Sequence, residues 1–230
     1  MIEENVARIR EAMERAALSV GRKPEEIALC AATKMNDADA VRRAVAAGVD
    51  CCGENRVQEL LLKLPQNAYE GAPVHFIGHL QTNKAGKVVG RVDLIQSVDR
   101  PELLACIEKE AAKRNLIQNV LLEVNVGGEA SKSGFTVETA RRTADEIGKY
   151  SHICLRGLMT IPPVSLHPGD NRKYFAEMYR LYVDITAKKD DNINVEFLSM
   201  GMSDDFEDAI AEGSTMVRIG AAIFGARRYP

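Results

Sequence analysis

The chain has 230 residues, 46% of them hydrophobic, which is enough for one large buried core. Its net charge of -3 and its scattered Lys and Arg residues lack the electrostatic footprint of a nucleic-acid-binding protein. The N-terminus has Glu3 and Glu4 rather than the apolar segment of a signal peptide, and no apolar run reaches membrane-spanning length. We therefore predict a cytoplasmic monomer that forms one domain over residues 1–230 and binds neither nucleic acid nor membranes.

Hydrophobic periodicity predicts an amphipathic helix at the start of the chain, which ends near Gly21. Strand-like and helical segments then alternate. The eight strand-like runs cover residues 27–34, 49–53, 74–78, 93–98, 119–126, 153–161, 195–200 and 216–224. Two of the helices are expected to begin with capping boxes, Asp99 with Glu102 and Asp204 with Glu207.

This alternation predicts an α/β fold, a single (β/α)8 TIM-type barrel. A doubly wound open sheet is the alternative, because the local pattern establishes alternation but not closure. No Gly-x-Gly-x-x-Gly motif follows the first strand, which weakens a dinucleotide-binding version of that sheet. The sequence stops at Pro230, soon after the eighth strand, so we expect a missing last helix whose place the extra N-terminal helix takes.

The five cysteines include the adjacent pair Cys51 and Cys52, but no Cys-x-x-Cys motif and no Cys/His cluster with zinc-ligand spacing. Such a pattern is typical of buried thiols in a reducing compartment. We therefore predict no metal site.

Lys34 ends the first strand-like run and precedes a polar segment. In parallel barrels the chemistry collects where the strands end. A lysine at the rim of an apolar core loses part of its hydration, which favours the free amine and makes Lys34 a candidate for Schiff-base formation. The alternative is a solvated loop lysine, which is the commoner situation for a lone lysine.

Two segments late in the chain suggest an anion site. Ser199 and Gly201 follow the seventh strand, and Arg218 and Gly220 interrupt the apolar run of the eighth. Small residues let backbone N–H groups approach an anion, and barrels often bind phosphate in these two loops. Ordinary turns and a structural ion pair are the alternatives. An amine facing such a cradle suits an aldehyde that carries a phosphate, and pyridoxal 5'-phosphate (PLP) is the common cofactor of that description.

The sequence resembles, nearly end to end, the pyridoxal phosphate homeostasis proteins, which are single-domain relatives of the alanine racemase barrel. The resemblance rests on several motifs in the same order, and as a set they are highly specific. The motifs are Ala32-Thr33-Lys34, the stretches 53–59, 75–84, 131–135 and 156–161, and the whole stretch from Leu198 to Gly225.

The cofactor site that the resemblance implies has three parts. Lys34 would form the Schiff base with PLP, and Arg218 would lie near the pyridine nitrogen. The residues that bind the phosphate would be Ser199, Gly220 and Ala221, and those that line the ring would be Asn55, Met200 and His79.

A guanidinium beside the pyridine nitrogen disfavours pyridinium, which makes the ring a poorer electron sink for carbanions. The related two-domain racemases also carry a β-domain that supplies a tyrosine acid/base, for which this sequence has no room. These implications favour a carrier without strong catalysis that supplies PLP inside the cell, with PLP-dependent apoenzymes as recipients. The alternatives are a PLP-dependent amino-acid racemase or decarboxylase of the same fold, and a Schiff-base aldolase acting on a phosphorylated sugar.

Other motifs leave two interpretations open. Lys132, in a Gly-rich loop after the fifth strand, is either a second amine at the site or part of a flexible loop. Glu54, Glu123 and the pair Asp204-Asp205 are candidate acids or bases, although capping alone explains carboxylates at such positions. The stretch 161–170 is either a mobile lid or an ordinary connection in which two prolines interrupt regular secondary structure.

Overall fold

Eight parallel strands close into a barrel in the computed structural model, which describes residues 1–188 and 191–225. The strands are β1 (Ala28–Ala32), β2 (Cys51–Glu54), β3 (Val74–Phe76), β4 (Leu94–Val98), β5 (Gln118–Val124), β6 (Ile153–Thr160), β7 (Ile193–Ser199) and β8 (Met216–Ile219). Each strand pairs with the next, and β8 pairs with β1. This closure confirms the predicted TIM-type barrel and excludes the open doubly wound sheet.

Helices alternate with the strands along the described residues. They are α1 (Ile2–Ser19), α2 (Ala38–Ala46), α3 (Val57–Lys63), α4 (Pro101–Ala112), α5 (Val137–Asp145), α6 (Arg172–Thr186), α7 (Phe206–Ala211) and α8 (Ala221–Phe224). None of the helices described is long and apolar enough to cross a membrane. Between β3 and β4, where the alternation predicts a helix, the chain forms a 3-10 helix rather than an α-helix, Thr82–Lys87. Gly86 weakens an α-helix here and packs closely on α4, since a Cβ would lie 2.7 Å from the Glu110 carboxylate.

Both predicted capping boxes are wrong, because the cap position of each helix is one residue after the predicted cap. Helix α4 begins after Arg100, and the Asp99 carboxylate pairs with that guanidinium instead of capping the helix. Helix α7 begins after Asp205 rather than Asp204, and the Asp205 side chain accepts a hydrogen bond from Asn171 at 2.8 Å.

Helix α1 packs against α2 on one side and against α7 and α8 on the other, so it fills the gap in the outer ring as predicted. The Asn5 side-chain amide fixes this contact by donating to the Ile223 carbonyl at 2.8 Å. The predicted eighth strand extended to residue 224, but β8 ends at Ile219 and the chain turns into the one-turn helix α8. Residues 226–230, on which the predicted absence of a last helix partly rests, lie outside the described residues.

Side chains on the strands alternate between the layer under the helices and the interior of the barrel. On β1, Leu29 and Ala31 belong to the large hydrophobic core, whereas Cys30 joins a separate small cluster with Cys51 and Met216. The helices are thus held to the outside of the barrel by one continuous core. The carboxyl ends of the strands remain available for a site.

Candidate functional site

A cavity of about 490 Å³ opens at the carboxyl ends of β1, β7 and β8. Its size lies within the range of small-molecule sites, roughly 300–1,000 Å³. Four of the predicted site residues line it, namely Lys34, Arg218, Gly220 and Ala221. The structure thus brings the candidate amine and the candidate anion turn into one cavity, as the sequence analysis required.

The backbone on both sides of Lys34 is fixed by hydrogen bonds. On one side, Thr33 N–H donates to the Gly53 carbonyl at 2.9 Å, and the Lys63 ammonium donates to the Thr33 carbonyl at 2.8 Å. On the other side, Met35 has a left-handed φ of 62° and its N–H donates to the Glu59 carboxylate at 2.6 Å. A non-glycine residue in this conformation costs energy and persists only where its surroundings hold it. The half-buried Lys34 side chain therefore starts from a fixed position at the cavity.

Arg218 reaches the same cavity from the barrel interior and is 4% exposed. Its guanidinium donates to the Ser199 hydroxyl and to the Thr160 carbonyl, each at 2.8 Å. Burial lowers the pKa of this guanidinium below its ordinary value, and the negative charges of Cys30, Glu123 and Asp205 oppose that shift. Two hydrogen bonds and close packing thus hold the cation in one place.

Ser199 and Met200 do not belong to the lining of this cavity. The Ser199 hydroxyl is fully buried and donates to the Gln96 side-chain carbonyl at 2.7 Å, and Met200 lies in the large core. The chain then turns at Gly201, which has a φ of 95° and whose missing Cβ would lie 2.6 Å from the Ala209 Cβ.

Beyond that turn, Met202 and Ser203 line the cavity instead. These two residues and Asn36 were not among the predicted site residues, although the sequence contains one signal for them. The segment Ser-Met-Gly-Met-Ser contains two Ser/Met pairs, and only the second lies after the glycine at which the chain turns away from the barrel interior.

Asn55 and His79 lie at the same rim but line a neighbouring cavity of about 250 Å³, together with Glu123 and Lys132. The Asn55 side-chain carbonyl is buried without a hydrogen-bond partner among the described residues. His79 is more exposed, and its Nδ1 lies 3.1 Å from the Asp99 carboxylate. The Lys132 ammonium donates to the Pro162 carbonyl at 3.0 Å, so in this arrangement it faces the neighbouring cavity.

The candidate acids and bases occupy different surroundings. Burial raises the pKa of the Glu123 carboxyl to about 7, with a further rise from the Asp99 charge and an opposing effect of Arg218. Glu54 is fully buried and accepts hydrogen bonds from Lys63 at 2.8 Å and from Thr33 at 2.5 Å. It lies beneath helix α3, where it supports the start of the Lys34 segment.

Comparison with known proteins gives a family. The sequence profile of the alanine racemase N-terminal domain matches residues 2–228. The pyridoxal phosphate homeostasis protein of Aquifex aeolicus is 40% identical over 226 residues, which cover 98% of each chain. The protein of the same name from Escherichia coli K12 is 37% identical, with 99% of this chain and 97% of that chain covered.

Solved structures agree with this comparison. PipY of Synechococcus elongatus, solved with PLP bound, is 30% identical and superposes with a TM-score of 0.83 over 98% of this chain and 100% of PipY. An alanine racemase of Clostridium difficile shares the fold at a TM-score of 0.68 and 17% identity, and this chain covers 57% of its length.

The closed parallel barrel and the matching profile define the class as a barrel of the alanine racemase N-terminal type. Within that class, the chain belongs to the family of the pyridoxal phosphate homeostasis proteins, which the sequence motifs had indicated.

Proposed function

We propose that this chain binds PLP in the cavity at the ends of β1, β7 and β8, with Lys34 as the amine that forms the Schiff base. The observation that carries the proposal is the convergence of Lys34, Arg218 and the Gly220–Ala221 turn on one cavity. An amine, a fixed cation and a turn with available N–H groups match the aldehyde, the ring nitrogen and the phosphate of PLP. The relative PipY, solved with PLP bound, supports PLP as the ligand.

The phosphate is assigned to the turn that begins α8 and to the Ser203 hydroxyl. The first N–H groups of a helix have no intrahelical acceptor, so the N–H group of Ala221, the first residue of α8, is available to an anion. Gly220 keeps the approach open, because a Cβ there would lie 3.4 Å from Ala32 in the lining of the same cavity. Ser203 lies in the lining and adds a donor, whereas Ser199 is assigned to holding Arg218 in place.

The other predicted ring contacts remain predictions. Asn55 is supported by its buried side-chain carbonyl, which has no partner among the described residues. Met202 takes the place in the cavity lining that we had predicted for Met200. His79 would reach a ligand only at the side of the neighbouring cavity.

We further propose that the protein holds PLP for the supply of PLP-dependent apoenzymes in the cytoplasm and does not turn over amino acids rapidly. The support comes from Arg218, whose guanidinium accepts no proton and is fixed by Ser199 and the Thr160 carbonyl. A cation beside the ring nitrogen disfavours its protonation and weakens the electron sink on which racemisation and decarboxylation depend. The shared name of the relatives supports a role in homeostasis.

Spectroscopy tests the Schiff base. We expect the purified protein with PLP to show a visible absorption band that borohydride removes, and peptide mass spectrometry to place the reduced adduct on Lys34. The Lys34→Ala variant should lack the band, whereas Lys132→Ala, which removes the amine of the neighbouring cavity, should keep it. A band retained in Lys34→Ala and lost in Lys132→Ala would contradict the assignment.

An assay of D/L interconversion across the common amino acids tests the carrier role. We expect no turnover at ordinary enzyme rates, about 1–1,000 per second, from a protein whose PLP band is intact. The Lys34→Ala variant provides the baseline. Turnover in that range, lost in the variant, would establish a racemase instead.

A further inference from the structure

Three potential metal ligands meet inside the barrel, away from the cavity that contains Lys34. Cys30 on β1, Cys51 on β2 and His75 on β3 place their sulfur and ring-nitrogen atoms within 4.8 Å of one another. They are 0%, 2% and 6% exposed. Nothing in the proposed binding of PLP uses them.

The strand register explains why residues far apart in sequence converge here. Cys30 and Cys51 are direct partners across β1 and β2, and Gly53 on β2 is the partner of His75 on β3. The interior-facing positions of three consecutive strands therefore bring the three side chains together. Gly53 leaves the space they need, because a Cβ there would lie 3.0 Å from the Cys30 sulfur.

The His75 ring is held in place from its other side. The Gln96 side-chain amide lies 2.9 Å from His75 Nδ1, and its carbonyl accepts from the Ser199 hydroxyl at 2.7 Å. Metal-binding histidines usually have such a second partner, which fixes the orientation of the ring. Because its carbonyl accepts from Ser199, Gln96 directs its N–H group at Nδ1, which matches the tautomer with the ring proton on Nε2. Metal binding through Nε2 moves that proton to Nδ1 and therefore requires the Gln96 amide to turn its carbonyl toward the ring.

A fourth soft donor lies beside the cluster. The Met216 side chain packs against Cys30 and Cys51, and its sulfur lies 3.2 Å from Gln96 Nε2. Thiolate and thioether donors favour Cu(I), and two cysteines with one histidine also suit Zn²⁺. Tetrahedral ligands at about 2.0–2.3 Å from one ion lie roughly 3.3–3.8 Å apart, so a contraction of at most about 1.5 Å completes the site.

A surface cavity at the amino-terminal end of the barrel lies on the other side of two residues that cover the cluster. These two residues, Ala28 and Phe197, line the cavity and pack against the cluster from that side. Its rim carries more acidic than basic side chains, Glu25, Glu26, Asp50 and Glu196 against Arg10. This excess of negative charge attracts cations.

We propose that Cys30, Cys51 and His75, with Met216 as a further soft donor, bind one thiophilic d10 cation, Zn²⁺ or Cu(I), inside the barrel. Binding would release the thiol protons of Cys30 and Cys51 to solvent, because the ligands are thiolates and a neutral imidazole. The site is separate from Lys34, so a failure to bind metal leaves the proposed PLP function standing.

Metal retention tests this proposal on the full-length chain. The protein, kept reduced with a phosphine, is titrated with Zn²⁺ in one arm and Cu(I) in the other, desalted, and analysed by native mass spectrometry and elemental analysis. We expect one retained equivalent of at least one ion, with X-ray absorption showing sulfur at about 2.3 Å and nitrogen at about 2.0 Å if the ion is zinc. Absence of a retained equivalent in both arms would overturn the proposal.

Matched variants locate the ion. Cys30→Ala and Cys51→Ala should bind the retained metal at least tenfold more weakly in a chelator competition. Cys52→Ala is the control, because Cys52 is the next residue on the same strand, is equally buried, and belongs to the large core outside the barrel. Circular dichroism checks that each variant is folded, and His75→Gln, which keeps a polar side chain, replaces any cysteine variant that is not. Unchanged retention in folded variants of the ligand residues, or an equal loss in Cys52→Ala, would place the ion elsewhere.

Discussion

At the scale of single residues, the difference between Ser199 and Ser203 shows what local sequence leaves open. Ser199 precedes the turn at Gly201, and Ser203 follows it. The family resemblance implied a phosphate contact for Ser199. The backbone turn at Gly201 directs Ser203 to the cavity, while Ser199 stays in the barrel interior between Gln96 and Arg218. The choice depends on Ser199 being the last residue of β7 while Ser203 lies beyond the turn at Gly201, and the sequence pattern alone did not reveal it.

The two serines should respond differently to removal of the hydroxyl. In Ser203→Ala we expect PLP affinity to fall about 10- to 100-fold, because a hydrogen bond to a charged phosphate contributes about 1.5–3 kcal/mol. Ser199→Ala leaves the buried Gln96 carbonyl and one N–H group of the Arg218 guanidinium without their hydrogen-bond partner, so we expect the free energy of unfolding to fall by about 1–3 kcal/mol. Fluorescence titration with PLP and urea denaturation measure the two effects. A larger affinity loss in Ser199→Ala would return the phosphate contact to that residue.

Glu123 provides a prediction for pH. Its pKa is raised to about 7, so between pH 4.5 and 7 the folded state binds more protons than the unfolded state. The free energy of unfolding should therefore fall as the pH rises through this window, by up to about 3 kcal/mol from this residue. The Glu123→Gln variant should lack this fall, which urea denaturation at pH 5 and pH 8 would measure. Equal pH dependence in the variant and the parent protein would contradict the raised pKa.

At the scale of elements, the buried pair Glu54 and Lys63 ties helix α3 to the Lys34 segment. Lys63 is 3% exposed, and its ammonium bridges the Glu54 carboxylate and the Thr33 carbonyl, each at 2.8 Å. The Tyr69 hydroxyl donates to the same carboxylate oxygen at 3.1 Å. The sequence made Glu54 a candidate acid or base, with capping as the alternative, and the structure gives it a supporting position outside the lining of the cavity.

Removing only the lysine of this pair should destabilise the folded protein. In Lys63→Met we expect the free energy of unfolding to fall by about 3–5 kcal/mol, because the Glu54 carboxylate is left buried without its counter-ion. Adding Glu54→Gln should recover much of that loss, since the charge is then removed. Lys132→Met is the control, because its pair with Glu129 is partly exposed and such pairs contribute about 0–1 kcal/mol. A loss in Lys63→Met no larger than in the control would show that the pair is not structurally important.

At the scale of the whole molecule, closure of the barrel creates the cavity of Lys34 and brings Met216 on β8 beside Cys30. The pairing of β8 with β1 sets Cys30 beside Arg218 in register, and it places the ends of β1 and β8 around the cavity of Lys34 and Gly220. The proposed PLP site lies at the rim of the barrel, and the proposed metal site, Cys30, Cys51 and His75, lies in its interior. An open sheet with the same strands would separate β1 from β8 and lose the cavity between them.

The sequence by itself determined the alternation of strands and helices, the opening amphipathic helix and the family, because periodicity and motif order are local properties of the chain. It also identified Lys34, Arg218 and the Gly220 turn as one set. Only the tertiary structure decided closure, the placement of Ser203 rather than Ser199 in the cavity, and the meeting of Cys30, Cys51 and His75. The placement of Ser203 depends on the turn at Gly201. Closure and the cysteine–histidine cluster depend on the register between paired strands, where a shift of one residue turns every side chain to the opposite face of the sheet.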